Sequence, residues 1–147
     1  KTVVNSNNKR KSLLTKRVEK IIGKNLVGKN ITFLGVTFKP NTDDMREASS
    51  IPMINYLNKK GSKIRYYDPS GRKKEFDKLK NVKFYSSISS ACIKSDLIII
   101  HTEWNVFKLL DFKKLVKKKN FKVFDMRNIY SHDKMRYLKI DYTSIGR

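Results

Sequence analysis

Ile31-Thr-Phe-Leu-Gly-Val36, continued by Thr37-Phe-Lys-Pro40 and Asn41-Thr-Asp-Asp-Met-Arg-Glu-Ala-Ser-Ser50, is the stretch whose reading decides the fold. Its first part is short, apolar and β-branched and follows the turn-prone Gly28-Lys-Asn30, which predicts a buried strand over 31–36. Pro40 disfavours the α region at Lys39, so a loop follows. The Asn, Thr and Asp residues of 41–44 offer several helix caps ahead of Ile51-Pro-Met-Ile-Asn-Tyr-Leu57. Pro52 is tolerated in a first helical turn, where its missing amide has no intrahelical partner. Lys39 and Arg46 therefore lie between a buried strand and a helix, at the edge where α/β sheets bind ligands.

Outward from that stretch the pattern is regular. Helical segments are expected over 50–60, 86–94, 109–118 and 131–138, with a modest helix or irregular crossover over 72–79. Strands are expected over 63–67, 82–85, 96–101, 122–125 and 139–144, and Asp96-Leu-Ile-Ile-Ile-His101 has the continuous apolar run of a strand covered on both faces. Alternating strands and helices predict right-handed βαβ units. The expected fold is α/β: a Rossmann-like, doubly wound, mostly parallel six-stranded sheet in three αβα layers, with order 3-2-1-4-5-6. A basic helix over 1–24 precedes it, with Leu13, Leu14, Arg17, Val18, Ile21 and Ile22 at helical spacing and a boundary near 23–29. Its apolar stripe must dock on the sheet domain, pair with a second copy or stay exposed.

The 147 residues suit one domain. One cysteine, Cys92, and two histidines, His101 and His132, cannot supply an intrachain disulfide or a four-ligand structural zinc site, so no metal is expected. Without a signal peptide or an apolar run near 18 residues, the expectation is a soluble, cytoplasmic chain with no membrane partner. The formal charge of +21 attracts polyanions whatever the fold. Its lysines are scattered, however, and no aromatic-interleaved RNA module or helix-turn-helix accompanies them, so no specific nucleic-acid partner is expected.

In the expected topology strands one and four flank a crevice at the switch point. Lys39 and Arg46 follow strand one, Thr102, Glu103 and Trp104 follow strand four, and Arg127 follows strand five. Such a set suits a diphosphate or another anion, because an arginine fork matches phosphate oxygens and a lysine supplies a mobile point charge. Each residue also has a purely structural alternative: Arg46 pairing with Asp43 or Asp44, Arg127 pairing with Asp125, and Trp104 filling the core. Gly35 stands alone without a GxGxxG pattern, so the sheet should not hold a dinucleotide by itself. Asp68 mimics a ribose-binding acid but reads more simply as a turn residue. Cys92 reads as core, and His101 has no evident acid or nucleophile partner, so no catalytic residue is assigned.

The long motif 35–50, with Tyr67-Asp-Pro69, Thr102-Glu-Trp-Asn-Val-Phe107, Asp125-Met-Arg-Asn128 and Ile145-Gly-Arg147, resembles the C-terminal, UDP-binding domain of the UDP-glucose 6-dehydrogenases in the UDP-glucose/GDP-mannose dehydrogenase family. The resemblance implies that 1–28 is the end of a central linker and dimerisation helix and that 29–147 is a UDP-sugar-binding domain. It implies an enzyme that oxidises UDP-glucose to UDP-glucuronate with two NAD. The NAD would be bound mainly by an N-terminal domain outside this chain, the catalytic cysteine would lie in a central domain also outside it, and the full-length enzyme would be a homodimer. By position Phe38, Lys39 and Arg127 would bind the substrate and Arg46 would reach NAD. The fragment alone would be inactive. The alternatives are a stand-alone nucleotide-sugar binding or association module and, in a third class, a basic nucleic-acid-binding protein.

Overall fold

The computed structural model of the chain describes residues 2–146, with side chains described over 12–146. Lys1, in the leading helix, and Arg147, in the closing motif, lie outside the described residues. The strands are β1 (Asn30–Leu34), β2 (Lys63–Tyr67), β3 (Val82–Phe84), β4 (Leu97–Ile100), β5 (Lys122–Asp125) and β6 (Asp141–Ser144). They form a single sheet of order β3-β2-β1-β4-β5-β6 in which every neighbouring pair is parallel. The helices are α1 (Thr2–Ile22), α2 (Ser50–Lys59), α3 (Ile88–Cys92), α4 (Phe112–Val116) and α5 (His132–Tyr137). The chain thus has the expected Rossmann-like three-layer αβα architecture.

Side-chain alternation divides the central strands between two cores. Ile31 and Phe33 of β1, Leu97 and Ile99 of β4 and Phe124 of β5 face α1 and α2, where Val18, Met53, Ile54 and Leu57 cover them. Leu34, Ile98, Ile100 and Val123 face the other way, onto Cys92 of α3, Phe112 and Val116 of α4 and Met135 of α5. Burial on both faces explains the unbroken apolar run of β4. The stripe of α1 docks on the domain: Val18 is fully buried, and Leu14, Ile21 and Ile22 pack against the first core. Arg17 Nη2 donates to the Ser144 carbonyl at 2.9 Å, and the Tyr56 hydroxyl donates to Glu19 Oε2 at 3.0 Å. Leu13 remains exposed.

Several element bounds are tighter than the sequence expectation, and three local features have a visible cause. β1 stops at Leu34 because Gly35 turns into the left-handed region, with φ of 79°. The helix expected over 109–118 shrinks to α4: Asp111 caps it by accepting from the Lys114 amide, and Lys117 ends it at φ of 53°. None of residues 41–44 caps α2; Ser49 is its N-cap and makes no side-chain capping bond.

The Ser49 hydroxyl is instead 2.9 Å from His101 Nε2. His101 Nδ1 is 2.9 Å from Thr102 Oγ1, whose proton goes to the Thr37 carbonyl at 2.8 Å. Because that proton is committed, Thr102 Oγ1 accepts from Nδ1–H, and Nε2 is left to accept from Ser49. This chain of bonds joins the start of α2, the end of β4 and the loop after β1. Burial, with the nearby Arg127 charge, pushes the His101 pKa down to about 3. At the same place a Cβ on Gly35 would lie 2.6 Å from the Thr102 Cβ.

Two expected outcomes follow. In Gly35→Ala, left-handed strain of about 1–2 kcal/mol and overpacking of about 1–3 kcal/mol should together lower the unfolding free energy by about 2–5 kcal/mol in urea; a loss below about 1 kcal/mol would show that the contact relaxes freely. Because the native pKa of His101 lies below its ordinary 6.5, its contribution is complete above that pH and is lost as pH falls toward 3. Stability should therefore fall between those values with a component of about 1.4 kcal/mol per pH unit that His101→Gln lacks. Parallel pH profiles for the two proteins would refute the neutral, buried imidazole.

Candidate functional site

The loops leaving the carboxyl ends of β1, β4 and β5 meet above this hydrogen-bonded floor. The first begins with backbone anchors: the Gly35 amide donates to the Tyr67 carbonyl at 2.8 Å and the Val36 amide to Asp68 Oδ2 at 2.8 Å. It then folds on itself, with the Phe38 amide donating to the Asp44 carbonyl at 3.0 Å and the Asp44 amide to Thr42 Oγ1 at 3.2 Å. The Thr37 hydroxyl donates to the Lys39 carbonyl at 3.0 Å. The resulting tip exposes Phe38 and Lys39, and an exposed phenyl ring beside an ammonium is a surface able to contact a mixed polar and apolar ligand.

Arg127 ties the loops together. Its Nε donates to the His101 carbonyl at 2.8 Å and its Nη2 to the Phe38 carbonyl at 3.3 Å, while Glu103 Oε1 lies 3.7 Å from Nε. Asp125 takes only the Arg127 backbone amide, at 3.0 Å, so the guanidinium does not pair with it. The other Asp125 oxygen accepts from the Ile129 and Tyr130 amides and the Tyr142 hydroxyl, fixing the loop that carries Arg127. A planar fork with five donors can hold two carbonyls and retain others for a ligand.

Arg46 sits differently. It forks onto Asp44, with Nε to Oδ1 at 3.0 Å and Nη2 to Oδ2 at 3.2 Å, and its side chain is 89% exposed. Arg46 hydrogen bonds hold the Asp44 carboxyl below its ordinary range, with a smaller contribution from the Lys39 charge. The structure thus brings Phe38, Glu103 and Arg127 together and turns Arg46 onto its own loop. Trp104 packs against the second core, and among the described residues its Nε1 is buried without a hydrogen-bond partner.

This edge does not fit a pyrophosphate held in the usual dinucleotide manner. The α2 start is occupied by its own side chains: the Ser49 hydroxyl engages His101, and the Ser50 hydroxyl donates to the Val36 carbonyl at 2.5 Å. Asp68, where a ribose-binding acid would stand, is 1% exposed, and its second oxygen accepts from the Ser70 amide and hydroxyl. Burial pushes the Cys92 thiol up to about 12, which removes it as a nucleophile near neutral pH. Among the described residues no group of three His, Cys, Asp or Glu side chains could hold a metal ion, and no helix is long and apolar enough to cross a membrane.

Sequence reasoning missed the bracing roles of Ser49, Asp68 and Asp125. The nearest signal was their placement, at the start of the expected helix for Ser49 and at strand ends for Asp68 and Asp125.

Known proteins share the fold and the sequence. UDP-glucose 6-dehydrogenase of Rhizobium meliloti is 35% identical over 147 residues, which are 99% of this chain and 34% of that protein. The chain therefore spans about a third of the length of such curated relatives. A UDP-glucose dehydrogenase structure from Pyrobaculum islandicum superposes with a TM-score of 0.73 at 25% identity, covering 96% of this chain and 30% of that one. An NDP-N-acetyl-D-galactosaminuronic acid dehydrogenase from Methanosarcina mazei has the same fold, with a TM-score of 0.76 at 23% identity over 94% of this chain and 29% of that one. The family model described as "UDP-glucose/GDP-mannose dehydrogenase family, UDP binding domain" matches residues 32–132, and the chain belongs to that family as its C-terminal UDP-binding domain.

Proposed function

We propose that the chain is the substrate-capping part of an NAD-dependent UDP-glucose 6-dehydrogenase, which converts UDP-glucose to UDP-glucuronate with two NAD. Residues 29–147 close over the UDP-sugar, and 1–28 continue into a central dimerisation domain of the whole enzyme. Lys39 neutralises phosphate charge, Phe38 lies along the ligand, and Arg127 holds the diphosphate or sugar. Arg46 exchanges Asp44 for NAD when the cleft closes; its exposure makes that exchange inexpensive. NAD is held mainly by the rest of the enzyme, since the start of α2 is occupied by Ser49 and Ser50, and the reacting cysteine belongs there too, since Cys92 is buried in the second core.

The observation that carries this reading is the Arg127 guanidinium bridging the Phe38 loop and the end of β4. A planar fork held at the loop that carries Lys39 supports phosphate binding there, because little ordering of Arg127 is left for binding to offset. The resemblance of Thr102-Glu-Trp104 to UDP-glucose enzymes, together with the named relatives, favours glucose over other UDP-sugars.

UDP titrated into the chain should move backbone amide resonances of residues 36–46 and 126–128, and Lys39→Ala should weaken that binding about tenfold, the loss of roughly 1.4 kcal/mol expected for one charge-assisted contact. Shifts confined to other parts of the sheet, or affinity untouched by Lys39→Ala, would end the assignment. With UDP-glucose and NAD the isolated chain should form no NADH. Cys92 should be alkylated by iodoacetamide at pH 8 only after unfolding in urea; native labelling at the unfolded rate would contradict its buried state.

A further inference from the structure

At the opposite, amino edge of the sheet, a cavity of about 690 Å³ opens among the segments that lead into β1, β4, β5 and β6. Six of its twelve lining residues are lysines, namely Lys29, Lys113, Lys118, Lys119, Lys122 and Lys139, whereas lysine makes up 26 of the 147 residues of the chain. Composition alone does not produce that density. The parallel register gathers them: Lys122 pairs with Asp141 across β5 and β6 and with Leu97 across β4 and β5.

Two carboxylates line the same space, and each already has a lysine. Asp96 is paired with Lys118, and Asp141 Oδ2 is 2.7 Å from Lys122 Nζ. Burial raises the Asp96 carboxyl, but bonds from Lys118 and the Asn30 amide, with the Lys29 charge, outweigh it and hold the group below its ordinary range. Six ammonium groups against two carboxylates leave a net charge of +4 around one concavity. Among the described residues no ion pair joins Lys113, Lys119 or Lys139 to a carboxylate.

We propose that this cavity is a second anion site, separate from the carboxyl edge, that takes a compact polyphosphate. The lining has no arginine, so it offers mobile point charges rather than a planar fork, which suits tetrahedral, multiply charged phosphates better than a single carboxylate. Its aromatic ring, Phe121, is only 9% exposed, so no platform is available to stack a nucleobase. The site reads phosphate charge and ignores bases. It does not rest on the UDP-sugar assignment.

Calorimetry of tripolyphosphate with the chain at about 0.15 M salt, where the Debye length is about 8 Å and scattered charges are screened, tests the site. Saturable binding is expected. Lys29→Gln, Lys119→Gln and Lys139→Gln combined should weaken it at least tenfold. The charge-matched set Lys59→Gln, Lys74→Gln and Lys78→Gln, exposed and outside the cavity, should change it less than twofold. In the unsubstituted chain, amide shifts should map to 119–122 and 139–141. Equal loss in both variants, absence of saturation, or shifts mapping to 36–46 would each overturn the proposal.

Discussion

The close approach of Gly35 to Thr102 is the constraint on which the carboxyl edge depends. β1 and β4 are neighbours whose connections leave toward different partners, and such a switch point normally opens a crevice. Here its floor is sealed. The His101 amide donates to the Leu34 carbonyl at 3.0 Å, the Thr102 side chain fills the space a Gly35 Cβ would need, and the neutral imidazole spans to Ser49. A floor made of uncharged, mutually satisfied groups offers a ligand little, and the exposed ring and cations at this edge lie on the loop tips that carry Phe38, Lys39 and Arg127.

Buried acids set those tips in place. Asp68 accepts the Val36 amide and thereby fixes where the first loop leaves the sheet; Asp125 accepts the Arg127 amide and fixes where that side chain begins. A carboxylate that receives several backbone donors is well compensated for its burial, and the same donors would otherwise be orphaned at the strand ends. Both acids therefore shape the loops and have no free oxygen with which to meet a ligand. Placement of the Arg127 guanidinium is a consequence of this indirect route: backbone held by Asp125, side chain extended to His101 and Phe38.

The sheet was legible in the sequence because two-sided burial leaves a strong trace. Leu97, Ile98, Ile99 and Ile100 are all buried, β2 alternates between buried and partly exposed positions, and β5 has the expected bounds. Strand order was expected by analogy with doubly wound sheets, and β3-β2-β1-β4-β5-β6 matches it. Less was legible where a long-range partner decides. Ser49 reads as a helix cap until His101, 52 residues away, claims its hydroxyl. Gly35 looks like part of an apolar run until Thr102 requires a left-handed turn there. Arg46 had two neighbouring acids, and only the fold of the loop selects Asp44. The grouping of Lys39, Arg46 and Arg127 at one edge was visible from topology; that Arg127 bridges two loops while Arg46 folds back was not.

The two sheet edges handle positive charge in contrasting ways. At the carboxyl edge the Arg127 cation is hydrogen-bonded to carbonyls from two loops, so its direction is fixed by the fold. At the amino edge, lysines on flexible stems surround an open cavity, and charge density replaces geometry. A net charge of +21 would make nonspecific attraction the dominant property of a chain whose cations were all free. Committing Arg127 to backbone carbonyls and Arg46 to Asp44 makes the carboxyl edge more than another basic surface. The carboxyl edge is therefore the one where fewer cations are held more firmly.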